Sequence, residues 1–315
     1  MMQRSLCAWL RLLVVSGMLA ISSLVSAAPR VLIITQAFEG PHAGTLAALR
    51  NALANSLPAT GADIEIDVQL ASAPDLQHAP SASIVVTIGS EAAALAAASP
   101  SYTGIPILHT LLPANAVPAP TQGRARTIAI VLDQPAARLI TLLRVALPQT
   151  QTVALIAGPN SRLAVDRVQA AAHDAGLKVR QSHIDNSDAL FPALQHVLAE
   201  PAVLVTIPDA IVFNRYTVQN ILLTTFRLRS PVLGFSAAYV KAGALLGLYS
   251  TPTQVGEDTA DAVLDLIAGR PRPAISPPQR FEVGVNNSVA RAMGLELPSA
   301  ESLMRELRRV EGSAP

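Results

Sequence analysis

The chain has 315 residues, 50% of them hydrophobic and 14% charged, with a formal net charge of +1. That near-neutral balance provides no basic field for nucleic acid or anionic lipid, so nucleic acid is not an expected partner. The only cysteine, Cys7, and the only tryptophan, Trp9, stand close to the start.

Arg4 and Arg11 are the only charges before Arg30, and the apolar run Leu12–Ile21 leads into Ser22–Ala28. A basic start, an apolar middle and a small-x-small end describe a secretory signal. Val25-Ser26-Ala27 fits the cleavage box, so a signal peptide is expected over 1–27, with the mature chain in the periplasm. An uncleaved anchor needs about 20 apolar residues and no processing site. Cys7 precedes the apolar core, where a lipid-attachment cysteine does not sit. Cleavage removes Arg4 and Arg11 and no acid, so +1 becomes −1. It also leaves no cysteine, and with it neither disulfide nor thiol nucleophile.

Short β-branched runs then alternate with helical spacings. Arg30–Thr35 reads as a buried strand, followed by a helix from His42 to Leu57 with Leu46, Leu49 and Leu53 on one face. Asp63–Val68 alternates as a half-exposed strand does. Ser83–Gly89 is a strand, with Ser90 opening an Ala-rich helix, and Ile105–Thr110 and Thr127–Leu132 are two more strands. A Pro/Ala loop occupies Pro113–Gly123, and a helix from Pro135 to Leu147 closes this first series.

The second series opens with the strand Thr152–Gly158 and a helix from about Ser161 to Ala175 that stops at Gly176. A strand begins at Lys178, Ser187-Asp188 caps a helix to Ala199, and Ala202–Ile207 is a strand ending at Pro208-Asp209. A helix from about Phe213 to Leu228, the strand Pro231–Phe235, a helix from Thr253 to Ala268 and a last strand at Phe281–Val283 follow. Two such series joined near Pro148 predict an α/β protein with two doubly wound, Rossmann-like lobes.

Catalytic and metal chemistry find little support. Gly234-Phe235-Ser236-Ala237-Ala238 is one small residue from a nucleophile elbow, which would make an esterase-like enzyme. That chemistry needs a histidine after the serine, and all six histidines precede Ser236. No His-x-x-x-His pair occurs, so no metal is expected, and no glycine fingerprint calls for a nucleotide; no cofactor is expected. His109, at a strand end that could face a ligand, reads as structural or neutral.

Polar residues recur instead at strand ends beside helix starts: Ser90, Asn160, Ser161, Asp209 and Ser236. Parallel sheets bind ligands beyond these strand ends, where free N–H groups attract anions. The same residue types also cap helices in every α/β protein, and both roles stay open here.

The stretches Ile207-Pro208-Asp209 and Pro231–Ala244 resemble the substrate-binding proteins of ABC transporters, in the branch that includes aromatic amino-acid binders. Ile84–Ala93, Gly104–Ile107, Val255–Ala260 and Val285–Leu295 match the same pattern. The resemblance implies a type I periplasmic-binding fold: two lobes joined by three crossovers, with a small-molecule ligand held between them. It implies a first lobe over 28–147 with 247–275 and a second over 148–246 with 276–315. It implies cleft positions at Ser90, Thr110, Asn160, Ser161, Asp209 and Ser236. Of these, Ser90, Thr110, Asn160 and Ser161 would donate hydrogen bonds and Asp209 would accept, while Phe235 or Tyr239 supplies an apolar wall. The chain departs from the pattern in two places. Members usually carry Thr-Asp-Pro after the strand ending at Thr110, where this chain has Leu111-Leu112-Pro113-Ala114-Asn115, without the acid that could hold an amine. Between Ala71 and Ser83 there is no room for a full helix.

The function expected is therefore a non-enzymatic, extracytoplasmic solute-binding component of an ABC-type uptake system, partnered by a membrane permease. The alternative is a sensory or scaffold protein that signals to a membrane partner without transport.

Overall fold

The computed structural model describes residues 28–60, 64–72, 81–119 and 126–312. The expected signal peptide lies outside the described residues, as does the stretch 73–80 inside the shortened interval before the third strand.

Two six-stranded sheets carry the chain. The first contains β1 (Arg30–Thr35), β2 (Glu65–Leu70), β3 (Ile84–Ile88), β4 (Ile107–Leu112), β5 (Thr127–Val131) and β11 (Ile275–Ser276), in the order β11-β5-β4-β3-β1-β2. All its pairings are parallel. The second contains β6 (Thr152–Ala157), β7 (Lys178–His183), β8 (Val203–Val205), β9 (Val232–Gly234), β10 (Leu246–Tyr249) and β12 (Glu282–Val285), in the order β12-β10-β9-β8-β6-β7. Only β12 runs antiparallel, beside β10. Both sheets therefore share the doubly wound order 2-1-3-4-5, with a switch point between β1 and β3 in one and between β6 and β8 in the other.

Strands covered on both faces read as continuous apolar runs, and β1 and β3 do so because helices bury each side. On one face of the first sheet α1 (Gly40–Thr60) and α8 (Pro252–Ile267) pack with Val31, Ile33, Val86 and Ile128. On the other, Ala92 and Ala96 of α2 (Ser90–Ala98) meet Leu32, Ile34 and Val85. Gly256 lets α1 and α8 touch: a Cβ there would stand 2.5 Å from the Thr45 carbonyl oxygen. The edge strand β2 keeps the exposed–half-buried alternation its sequence announced.

In the second lobe, α3 (Ala136–Ala146), α4 (Arg162–Asp174) and α10 (Ala300–Gly312) cover one sheet face. The other is covered by α5 (Leu190–Val197), α6 (Val218–Arg227) and α7 (Ala237–Ala242). The short α9 (Asn287–Met293) follows β12. The lobe crossings differ slightly from those expected. Leu139, Leu142 and Leu143 of α3 pack with Val153 and Leu155 of β6, so the first crossing lies at 132–135, before that helix. β10 pairs with β9, so the second lies at 250–251, and the third runs from the end of β11 to β12, over 277–281.

Two helix starts also move. The helix expected from Phe213 begins at Val218, because side chains satisfy the preceding backbone. Asp209 Oδ1 accepts from Ile211 N and Val212 N, and Asn214 Oδ1 accepts from Tyr216 N and Thr217 N. The helix expected at Ser187 opens as a 3-10 turn capped by Asn186, one residue earlier than the expected cap. No helix among the described residues is long and apolar enough to cross a membrane.

Candidate ligand cleft

A cleft of about 520 Å³ lies where the strand ends of both sheets and the crossovers meet. The first lobe contributes Asn115 after β4 and Asp133 after β5, with Gln134 in the first crossover. The second contributes Asn160, Leu163 and Arg167 from β6–α4, Thr206 and Pro208 after β8, and Phe235 after β9.

Of the seven expected site residues, Asn160 and Phe235 line this cleft. Asn160 is exposed at the loop before α4. The Phe235 ring is held at 4.8 Å from Tyr239 and 6.3 Å from Phe213, the latter edge-on. That packing supports a half-buried aromatic wall. Tyr239 itself is buried behind it, and burial raises its pKa.

Ser161 and Asp209 lie beneath the second lobe's floor and face each other. The Ser161 hydroxyl donates to Asp209 Oδ2 at 2.8 Å and accepts from Gly158 N at 3.0 Å. Asp209 Oδ1 takes the two backbone donors of the β8–α6 loop. A Cβ on Gly158 would stand 2.3 Å from the Asp209 carboxylate, so only glycine leaves it room. The carboxylate thus ties two strand-end loops together, and its charge is compensated by three donors.

Thr110 is fully buried and shares a 2.9 Å hydrogen bond with Thr259 of α8, which places it inside the first lobe. Beyond it Leu111 has φ 55° and the β4–β5 register shifts, and the chain that follows lines the cleft at Ala114 and Asn115. Ser236 caps α7, its Oγ accepting from Tyr239 N. Ser90 is half-buried as the first residue of α2, beside Gln36, whose side-chain oxygen accepts from Glu91 N at 3.3 Å. Gly89, with φ 100°, packs against Gln36 and His42, and burial lowers the His42 pKa. These residues and the exposed Phe38 form the first lobe's strand-end surface rather than the lining of the cleft. His109 is buried, its Nδ1 2.6 Å from Thr87 Oγ1, and burial pushes its pKa down to about 4. His109 is thus a core residue of the first lobe, as expected of a structural histidine.

Sequence reasoning missed Asp133 and Gln134, although Leu132-Asp133-Gln134-Pro135 is another polar strand end before a helix. Asp133 also answers the missing acid of the turn after Thr110. Its Oδ2 accepts from Ala114 N at 2.7 Å, so the neighbouring strand returns a carboxylate to that turn. Burial pushes the Asp133 pKa up, opposed by the backbone hydrogen bond and by the Arg167 guanidinium.

The family model for "ABC transporter substrate binding protein" matches residues 69–306. A search of curated proteins finds no match. Among solved structures, the chain is similar to a ligand-free, open substrate binding protein with adhesive properties from Clostridium difficile, with TM-score 0.65 and 20% identity over 87% of this chain and 97% of that one. It is similar to an ABC domain in complex with L-Trp from Streptococcus pneumoniae, with TM-score 0.60 and 17% identity over 89% and 98% of the two chains. A conserved domain protein from Vibrio cholerae gives TM-score 0.58 and 20% identity over 89% and 98%. At these identities the structures speak for the fold, a type I periplasmic-binding arrangement of two α/β lobes. The family match spans well over half of the chain, and the protein belongs to the ABC transporter substrate binding proteins.

Proposed function

We propose that the protein captures a small molecule between its lobes outside the cytoplasm and presents it to a membrane permease. The observation that carries this reading is the cleft itself, set at the carboxyl ends of two sheets of identical strand order and bridged by the crossovers. Asp133 is the proposed polar anchor, accepting from a cationic or hydroxyl group of the ligand. Asn115 and Asn160 offer further hydrogen bonds, and Phe235 with Leu163 faces an apolar part. Ser90 and Ser236 are proposed to join the site as the lobes close. Ser161, Asp209 and Thr110 act indirectly, by fixing the loops that carry the lining. The bound L-Trp of the pneumococcal relative fits a ligand of this size, with one charged end and one flat apolar end.

Closure follows from differential contact: a ligand touching both walls binds the closed state more tightly and shifts the population toward it. A thermal-shift screen of amino acids, nucleosides and organic acids tests the proposal. Stabilisation by one class, reduced by Asp133→Asn, is expected. No stabilisation by any class contradicts it.

A further inference from the structure

We propose that Arg138 is the positioning residue of the hinge, and that Gln134 carries cleft occupancy into it. Arg138 projects from the first turn of α3 and is 9% exposed. Its Nη1 donates to Gln134 Oε1 at 2.8 Å in the first crossover and to the Pro278 carbonyl at 3.2 Å in the third. The guanidinium lies 3.9 Å from the ring centre of Phe281 and pairs with Glu311 at the end of α10. Gln134 Nε2 in turn donates to Ser250 Oγ at 3.2 Å in the second crossover, and that hydroxyl donates to the Arg280 carbonyl at 2.5 Å in the third. All three connections between the lobes thus meet one buried cation within two hydrogen bonds.

The relay ends in the first lobe. The Arg280 side chain pairs with the buried Asp258 and, at 2.8 Å, with Asp261, both on α8. Asp258 also accepts from Gln279 N at 2.8 Å. The path from Glu311 through Arg138, Gln134, Ser250 and Arg280 to Asp258 therefore starts on the second lobe and finishes on the first. A guanidinium spends several planar donors at once, and leaving any of them unpaired in a buried site is costly. Sliding one crossover past another breaks these bonds, so the crossovers move together between a few discrete arrangements. Gln134 is the member that also lines the cleft, so a ligand touching its amide competes with Arg138 or Ser250 for it.

The test uses the ligand-free protein and so does not depend on the proposed function. Spin labels are placed at Leu95→Cys on α2 and Leu223→Cys on α6, both exposed and outside the cleft lining, in a Cys7→Ser background. Pulsed electron resonance then reads the interlobe distance. The parent is expected to give one narrow distance. Ser250→Ala, which removes one half-buried hydroxyl, and Arg138→Lys, which keeps the charge but not the fork, are each expected to replace it with a broad or two-peaked distribution while circular dichroism stays unchanged. A distance as narrow in either folded variant as in the parent overturns the proposal and leaves Arg138 as ordinary packing.

Discussion

The Ser161 hydroxyl donates to Asp209 Oδ2 at 2.8 Å with both residues almost wholly buried, binding the loop after β6 to the loop after β8. Those loops flank the second sheet's switch point, so the pair sets the floor from which Asn160 and Thr206 reach the cleft. A contact beneath a site fixes the site without touching what binds there.

Asp209→Ala is therefore expected to destabilise the protein by about 3 kcal/mol, because Ser161, Ile211 N and Val212 N all lose their acceptor. Gly158→Ala should cost about 2 kcal/mol, since the new Cβ meets the Asp209 carboxylate, which cannot move without releasing its donors. Urea denaturation measures both, and stabilities equal to the parent's would show that the carboxylate is not structural.

Asp133→Asn separates fold from function at the other wall. The amide oxygen still accepts from Ala114 N, so stability should change by less than about 1 kcal/mol. Binding of a cationic ligand should weaken by about a hundredfold, because the charge it faces is gone. Calorimetry with a ligand found in the thermal-shift screen reads both quantities against the parent.

Thr110→Val makes the opposite claim. Its hydroxyl is spent on Thr259 inside the first lobe, so the substitution should cost about 1 kcal/mol of stability and leave ligand affinity unchanged. Asn160→Ala, on the cleft wall, should do the reverse. A loss of affinity in Thr110→Val with no loss of stability would return Thr110 to the site.

His109 gives the pH dependence a sign. Its folded pKa, about 4, lies below the ordinary value of 6.5 because burial disfavours the imidazolium. The unfolded chain therefore binds the proton first, and stability falls as pH drops from about 6.5 toward 4. The full effect is about 3 kcal/mol, from the pKa difference at 1.36 kcal/mol per unit. His109→Gln should flatten the curve in that window while keeping a polar partner for Thr87, as denaturation at pH 4.5 and 7.5 would show.

Strand and helix rhythm is legible because the central β-branched runs are buried on both faces, the edge strand β2 alternates, and helices such as α3 and α6 offer an apolar stripe. Val31–Ile34 and Val153–Ile156 are continuous apolar runs for that reason. Side-chain direction was not legible. Thr110 and Asn160 both follow the strand-end rule, yet one faces α8 and the other the cleft, and only the three-dimensional register separates them. The first crossing lies before α3 and not after it because α3 is amphipathic toward whichever sheet it meets, and periodicity does not say which. Asp133 is not legible in the turn at 111–115 because its carboxylate reaches that turn from the end of the adjacent strand, 19 residues further on.

On the proposed function, one small molecule occupies the cleft between the lobes. Native mass spectrometry of protein purified gently from its source tests it most directly. One bound molecule per chain is expected, retained by Thr110→Val and depleted in Asp133→Asn. A bare chain mass in every preparation, or occupancy in Asp133→Asn equal to the parent's, would overturn the proposal.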